Sequence, residues 1–525
     1  MIKFPRCLKL AQHRMKIYGA IALMLGLLAG CVQQPLIGDS MTPAGLVIKP
    51  SLTPACRVVL REWQALRQRA GVADGQVRPV GPGKVFAVDR LLASYYTELD
   101  SAAARQYWLT QAWQMAHSQR QIEFRNLPKT YVGIGGAPDV EADLDADLDT
   151  DLDAIEACAL QVLADAQELA LNQPLALGKV QVPDDYRTWA RVLGVYPLSR
   201  AIVLPRIQAE QADARVHFQQ QALADTDQRY QPAVDAPALS IEAISLHLSQ
   251  ARSNNPLGIP QLDAPTLQAF RAHYAPAWAI GTRSRNDQPG APRWLNERQV
   301  SVDVAQPTLY FLPSYTRFQG QVLLQLNYFI WFARRPKAHW LDLYGGELDG
   351  LVWRVTLLPD GRVLAYDSIH QCGCYHQFFA VDPGLQARTL NADQEPVLLL
   401  NDQIPDARQE RVVVQLSDTD HAIVGLRVSQ APRESLPPPT KLVLRDYNEL
   451  RQLPLGAGQQ SLFASNGLIT ASRRLERWVL WPMGVASAGA MRQWGRHATA
   501  FIGRRHFDDP WLLDALLEYS VEAKD

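Results

Sequence analysis

Cysteine is scarce in this chain, six among 525 residues, and histidine is little commoner at eleven. Charge is thin as well: charged residues make up 20% against 47% hydrophobic ones, and the formal net charge is −1. So even a balance argues against a surface built for general polyanion binding. The fingerprints of several common chemistries are missing. No H-E-x-x-H, G-x-S-x-G, P-loop or dinucleotide motif occurs. What the composition does support is a globular chain with enough apolar residues for roughly two to four cores.

No acid precedes Cys31, while Lys3, Arg6, Lys9, Arg14 and Lys16 lead into an apolar run from Ile17 to Leu28. These are the charged and hydrophobic sections of a signal peptide. The run falls short of the roughly 20 apolar residues that a spanning helix needs. It ends in Leu28-Ala29-Gly30-Cys31, which resembles the lipobox of bacterial lipoproteins over residues 1–31. The resemblance implies cleavage before Cys31, diacylation of its thiol and acylation of the new amino terminus. Met15, followed by Lys16, would itself begin a compact signal of the same kind. Val32 stands where an inner-membrane retention signal of that family would place Asp, so the implied address is the outer membrane, facing the periplasm. Two or more acyl chains suffice for stable anchoring. Without residues 1–30 the chain keeps 47 of its 52 Lys and Arg against 53 Asp and Glu, a net charge of about −6. Export and this charge together leave no role for nucleic acid.

An oxidising compartment changes how cysteine is read. With Cys7 removed and Cys31 lipidated, Cys56, Cys158, Cys372 and Cys374 remain. Cys56 and Cys158 fall in one helical region and are expected to pair, the alternative being two buried free thiols. Closing a loop of about 100 residues would stabilise by roughly 4 to 5 kcal/mol in the chain-entropy model.

The expected class is α+β, in several domains. Residues 31–54 read as a lipidated cysteine and tether with four prolines and little charge. Residues 55–285 read as mainly helical: Val59, Trp63, Leu66 and Ala70 share one helix face, and Ile155, Cys158, Val162, Ala166 and Leu169 another. Asp100 can cap the helix that carries Trp108, Leu109 and Trp113. His117, His217, His247 and His273 are scattered there with nothing beside them. The acidic repeat over 141–153 reads as a surface loop. Its acids, counted from Asp145 to Glu156, resemble the spacing of an EF-hand calcium loop, although Thr150 replaces the turn glycine. Residues 286–447 read as a mostly antiparallel β-rich domain, with a hairpin turn at Pro359-Asp360-Gly361. Residues 448–525 read as a helical, Arg/Trp-rich tail.

The main chemical clue is "SIHQCGCYHQFF", in which His370, Cys372, Cys374 and His376 recur at every second residue. Residues two apart on a straight strand lie about 6.5 to 7 Å from each other, whereas two thiolates on one zinc must come within roughly 4 Å. Gly373 could bend the segment far enough. Imidazole and thiolate together suit Zn or Cu. A Cys372–Cys374 disulfide, a cysteine nucleophile and plain packing stay open beside the metal. His506 is a possible extra ligand, and Asp367 and Glu347 are weaker candidates for a catalytic base. His497 shares a helical face with Trp494 and Phe501 and reads as core. Arg492, Arg496, Arg504 and Arg505, interleaved with tryptophan, are candidates for an anionic envelope ligand. Two functions follow. One is a soft-metal-binding envelope lipoprotein. The other is a scaffold, assembly or anionic-ligand-binding lipoprotein, with an envelope protein as partner, in which Cys372 and Cys374 form a structural or redox disulfide.

Overall fold

The computed structural model describes residues 52–128, 144–178, 180–220, 227–233, 239–408, 410–429 and 438–520. The leader, Cys31 and most of the tether lie outside the described residues. The class is α+β, with a helical N-terminal region and a large curled mixed sheet.

Four N-terminal helices, α1 (Pro54–Arg69), α2 (Arg90–Tyr95), α3 (Ala102–Arg125) and α4 (Leu144–Asn172), turn their apolar stripes inward. Trp63, Trp108, Leu109 and Ile155 are fully buried in one core. Ser101, not Asp100, caps α3, its side chain accepting from the Ala104 amide at 3.0 Å. Cys56 on α1 is bonded to Cys158 on α4 across 102 residues, as their shared helical region led us to expect. The acidic repeat departs from expectation. Leu144, Leu148 and Leu152 recur every fourth residue, which is helical spacing, and from residue 144 on the stretch is the first part of α4. A calcium loop needs a sharp turn at its sixth position, so residues 145–156 are not one; residues 141–143 lie outside the described residues.

Four helices follow: α5 (Thr188–Leu193), α6 (Tyr196–His217), α7 (Ile241–Ser253) and α8 (Ala264–Tyr274). The large sheet has eleven strands: β1 (Gln228–Pro232), β2 (Ala277–Ile280), β3 (Thr308–Phe318), β4 (Gln321–Arg335), β5 (Gly346–Leu357), β6 (Val363–His370), β7 (Gln377–Ala380), β8 (Leu398–Leu400), β9 (Val412–Leu416), β10 (Ile423–Val428) and β11 (Thr440–Asp446). Their order is β8-β7-β6-β5-β4-β3-β11-β1-β2-β9-β10. Strands β3 to β7 form an antiparallel meander. Parallel pairs β3–β11, β11–β1 and β2–β9 extend it on one side, recruiting β1 and β2 from a stretch whose periodicity reads as helical.

Strand β4 shows why its run is apolar throughout. Leu326, Tyr328, Ile330 and Phe332 enter a core shared with α7 and α8, while Phe329 and Trp331 enter a second core with Tyr447, Trp494 and Phe507. A strand covered on both faces has no solvent side to keep polar. The β5–β6 hairpin turns where Pro-Asp-Gly stands, with Gly361 at φ +83°. A Cβ there would meet Ile244 of α7 at 2.4 Å, so the glycine also permits the hairpin to press on that helix. In the tail only the short α9 (Glu476–Val479) and α10 (Leu512–Leu516) are α-helical among the described residues. Gly489, Gly495 and Gly503 take positive φ, and the chain between them runs as buried coil instead of the helix that its apolar spacing suggests. No described helix is long and apolar enough to cross a membrane.

Removing the bridge with Cys56→Ser/Cys158→Ser should lower unfolding free energy by about 4 kcal/mol. Urea titration with and without reductant checks this: reductant should bring the parent protein down to the variant and leave the variant unchanged.

Candidate functional site

The His/Cys segment is the turn between β6 and β7. His370 donates its amide to the Cys374 carbonyl at 3.0 Å, and Gly373 donates to the His370 carbonyl at 2.7 Å. Gly373 adopts φ +92° and Tyr375 φ +58°. The bend expected at Gly373 is therefore present, and a Cβ at that residue would sit 2.5 Å from the Ala498 carbonyl oxygen. It brings the two thiols together. Cys372 and Cys374 are unbonded cysteines, and the Cys374 amide lies 3.4 Å from the Cys372 Sγ. A hydrogen bond from the Cys374 thiol holds the Cys372 pKa below its usual value, with Arg474 assisting against burial. That shared hydrogen and burial hold Cys374 well above its own.

The imidazoles go elsewhere. His376 Nε2 lies 3.0 Å from Asp367 Oδ2, and Asp367 also accepts from Arg354 Nε at 2.8 Å. Arg354 in turn stacks 3.6 Å from the Phe507 ring. Burial opposes charge on Asp367, but Arg354 and His376 outweigh it and its pKa is lowered. Burial pushes the His376 pKa down to about 4, so a neutral imidazole donates to the carboxylate. His370 turns the other way, its Nδ1 3.8 Å from Asp349 Oδ1. Asp349 is shared with His421 Nδ1 at 2.9 Å and Arg474 at 3.3 Å. His421 stacks on Phe332 and reaches Asp287 at 3.5 Å. Burial disfavours its charge, yet the two carboxylates prevail and raise its pKa. Asp349 stays well below its usual value, as burial is outweighed by His370, His421 and Arg474. The spacing pointed to one shared centre; the four donors instead divide between a thiol pair and two ion networks. Among the described residues no three His, Cys, Asp or Glu are grouped so as to hold a metal.

The other sequence candidates also have partners inside the chain. Asp367 is locked as above, and Glu347 pairs with Arg334 at the surface. His506 Nε2 lies 3.5 Å from Asp184 Oδ1. His497 is buried, which pushes its pKa down to about 3, as a core histidine's would be. Arg492 donates to the Cys372 carbonyl at 2.9 Å, Arg496 to Asp185 at 2.9 Å, Arg504 to Asp184 at 2.6 Å and Arg505 to the Glu395 carbonyl at 2.7 Å. These contacts brace the tail, and Arg504 and Arg505 also line, with Arg388, a second cavity of about 290 Å³.

Beside the turn lies a cavity of about 670 Å³. Helix α6 roofs it with Ile202, Val203, Ile207 and Ala214, and His370, Cys374, Tyr375 and His376 contribute to its wall. The β9–β10 loop and residues 476–483 close the remaining sides. Glu476 is the residue that sequence inspection missed. It is 5% exposed, lines the cavity, and accepts no side-chain hydrogen bond from any described residue. Burial pushes its pKa up to about 7 against the pull of Arg474 and Arg335. No local signal could have found it, because apart from Arg474 the groups that surround it at the cavity come from β4, the β6–β7 turn and α6.

Asp367→Asn should cost about 3 to 5 kcal/mol, since Arg354 would be left buried without its counter-charge. His376 gives a pH signature. An unfolded histidine binds a proton near pH 6.5 and this one only near 4, so its contribution is complete above about pH 6.5 and is lost as the pH falls toward 4. Urea midpoints measured over that range should decline less steeply for His376→Gln than for the parent protein. No protein-family model, curated protein or solved structure matches the chain.

Proposed function

We propose that this chain is an exported protein, anchored to the cell envelope through lipidated Cys31, that holds an amphipathic small molecule in the cavity beneath α6. The carrying observation is the cavity itself. Its volume of about 670 Å³ falls within the range of small-molecule sites. Ile202, Val203, Ile207 and Ala214 of α6, with Leu343, Val479, Leu480 and Met483, give the lining its apolar surface, while Arg206 and Glu210 of the same helix, with Glu476, Arg335 and His370, give it polar groups. A ligand with an apolar body and a polar end matches that mixed lining. Each 100 Å² of apolar ligand surface removed from water would contribute about 2.5 kcal/mol. The polar end would meet Glu476, whose carboxyl has an acceptor to offer and no donor from the described chain.

Binding is favoured over catalysis because the two carboxylates expected to act as bases are committed: Asp367 to Arg354 and His376, and Glu347 to Arg334. The address is supported by the leader, the lipobox and the Cys56–Cys158 bond, which suits an oxidising compartment. The outer membrane, facing the periplasm, is the proposed location.

The test uses N-phenyl-1-naphthylamine, a neutral apolar probe that fluoresces on leaving water. It should bind the parent protein saturably, and Val203→Trp, which fills the roof of the cavity, should weaken it by about tenfold or more, a loss of at least 1.4 kcal/mol, with thermal unfolding unchanged. Equal affinity for the two proteins would overturn the assignment.

A further inference from the structure

Large apolar side chains on and beside the segments that line the cavity are left exposed by the described chain. On α5 and α6, Leu193, Leu198 and Ile202 are each at least 67% exposed, and Trp189 is 57% exposed. Trp340, in the β4–β5 loop, is 81% exposed and Trp478, on α9, 66%. Scattered surface hydrophobics need no explanation, but a contiguous set does. The segments that carry these adjoin one another. The Arg187 amide donates to the Gly484 carbonyl at 2.7 Å and the Glu476 amide to the Leu343 carbonyl at 3.2 Å, and Ile202, Tyr344 and Val479 line the same cavity.

Charge singles out the same face. Residues 187–208, 334–344 and 473–483 together hold ten Arg or Lys and two acids, Asp342 and Glu476, in a chain whose totals are 52 and 53. Arg191 and Arg474 point inward and Arg334 pairs with Glu347. Arg187, Arg200, Arg206, Lys337, Arg473 and Arg477 stay at the surface.

We infer that this face lies on a lipid bilayer bearing anionic headgroups. Tryptophan and leucine flanked by arginine and lysine are what the interfacial region takes up, and each cation near an anionic surface contributes about 1 kcal/mol. A second copy of the chain is disfavoured as the occupant, because a self-complementary contact would set one cationic face against another. Reach is sufficient: the 22 residues between Cys31 and the first described helix span at most about 80 Å when extended, more than the roughly 60 Å diameter expected of a chain this size. This last step rests on the anchor proposed above; the composition of the face does not.

Tryptophan quenching tests it. The full lipidated chain is reconstituted into vesicles of phosphatidylcholine and phosphatidylglycerol with brominated acyl chains. Tryptophan fluorescence should fall relative to unbrominated vesicles, and the fall should shrink by about half or more in Trp340→Phe/Trp478→Phe and when phosphatidylglycerol is omitted. Undiminished fluorescence in vesicles that retain the protein overturns the inference. So does a dimer in vesicle-free sedimentation with those two tryptophans shielded from acrylamide. Mass spectrometry of Cys31 separates the two proposals, since a chain without lipid that still shows quenching upholds the face and refutes the anchor.

Discussion

Strands β4, β5 and β6 are covered on both faces, so a charged side chain on any of them must find its counter-charge inside the protein or forgo ionisation. Arg354 on β5 and Asp367 on β6 stand directly opposite in register and are both almost fully buried. Asp349, also on β5, meets His421 from the β9–β10 loop and Arg474 from the segment leading into α9. These two buried networks tie the meander to the far strands and to the tail, and they decide where the turn after β6 sends its side chains.

That turn illustrates how a local motif yields to its surroundings. Gly373 supplies the bend that a straight strand lacks, and the bend does bring Cys372 and Cys374 together. Had the imidazoles been free, four soft donors could have met. Each imidazole instead answers to a buried carboxylate, His376 to Asp367 and His370 to Asp349. An uncompensated charge in such a place is worth several kcal/mol, more than a turn's own preference. What remains at the cavity wall is a thiol pair that shares one hydrogen, with Cys372 the more readily ionised of the two.

The cavity and the apolar face belong to one end of the molecule. Helix α6 carries apolar groups on both sides: Leu198 and Ile202 are exposed, while Val203 and Ile207 are half-buried over the cavity, with Arg206 and Glu210 of the same helix beside them. A helix so placed makes physical sense between an apolar ligand and an apolar medium. Glu476 supplies the contrasting polar end, with burial holding its carboxyl at the boundary between its neutral and charged forms near neutral pH.

Several features were legible from residue order alone. The inward faces of α1, α3 and α4, the two-sided strand β4, the Pro-Asp-Gly hairpin and the Cys56–Cys158 bond follow from periodicity, turn chemistry and cysteine count, which are local or nearly so. The acidic repeat reads as a loop because its charge masks a leucine every fourth residue, and from Leu144 on it is helical. The tail's expected helix failed because Gly489, Gly495 and Gly503 adopt conformations that periodicity does not register. Only the tertiary structure decided the site. Asp287, Asp349, His421 and Arg474 are spread over nearly 190 positions and the walls of the cavity over about 300, and a pattern read along a chain has no term for the carboxylate that folding will bring alongside.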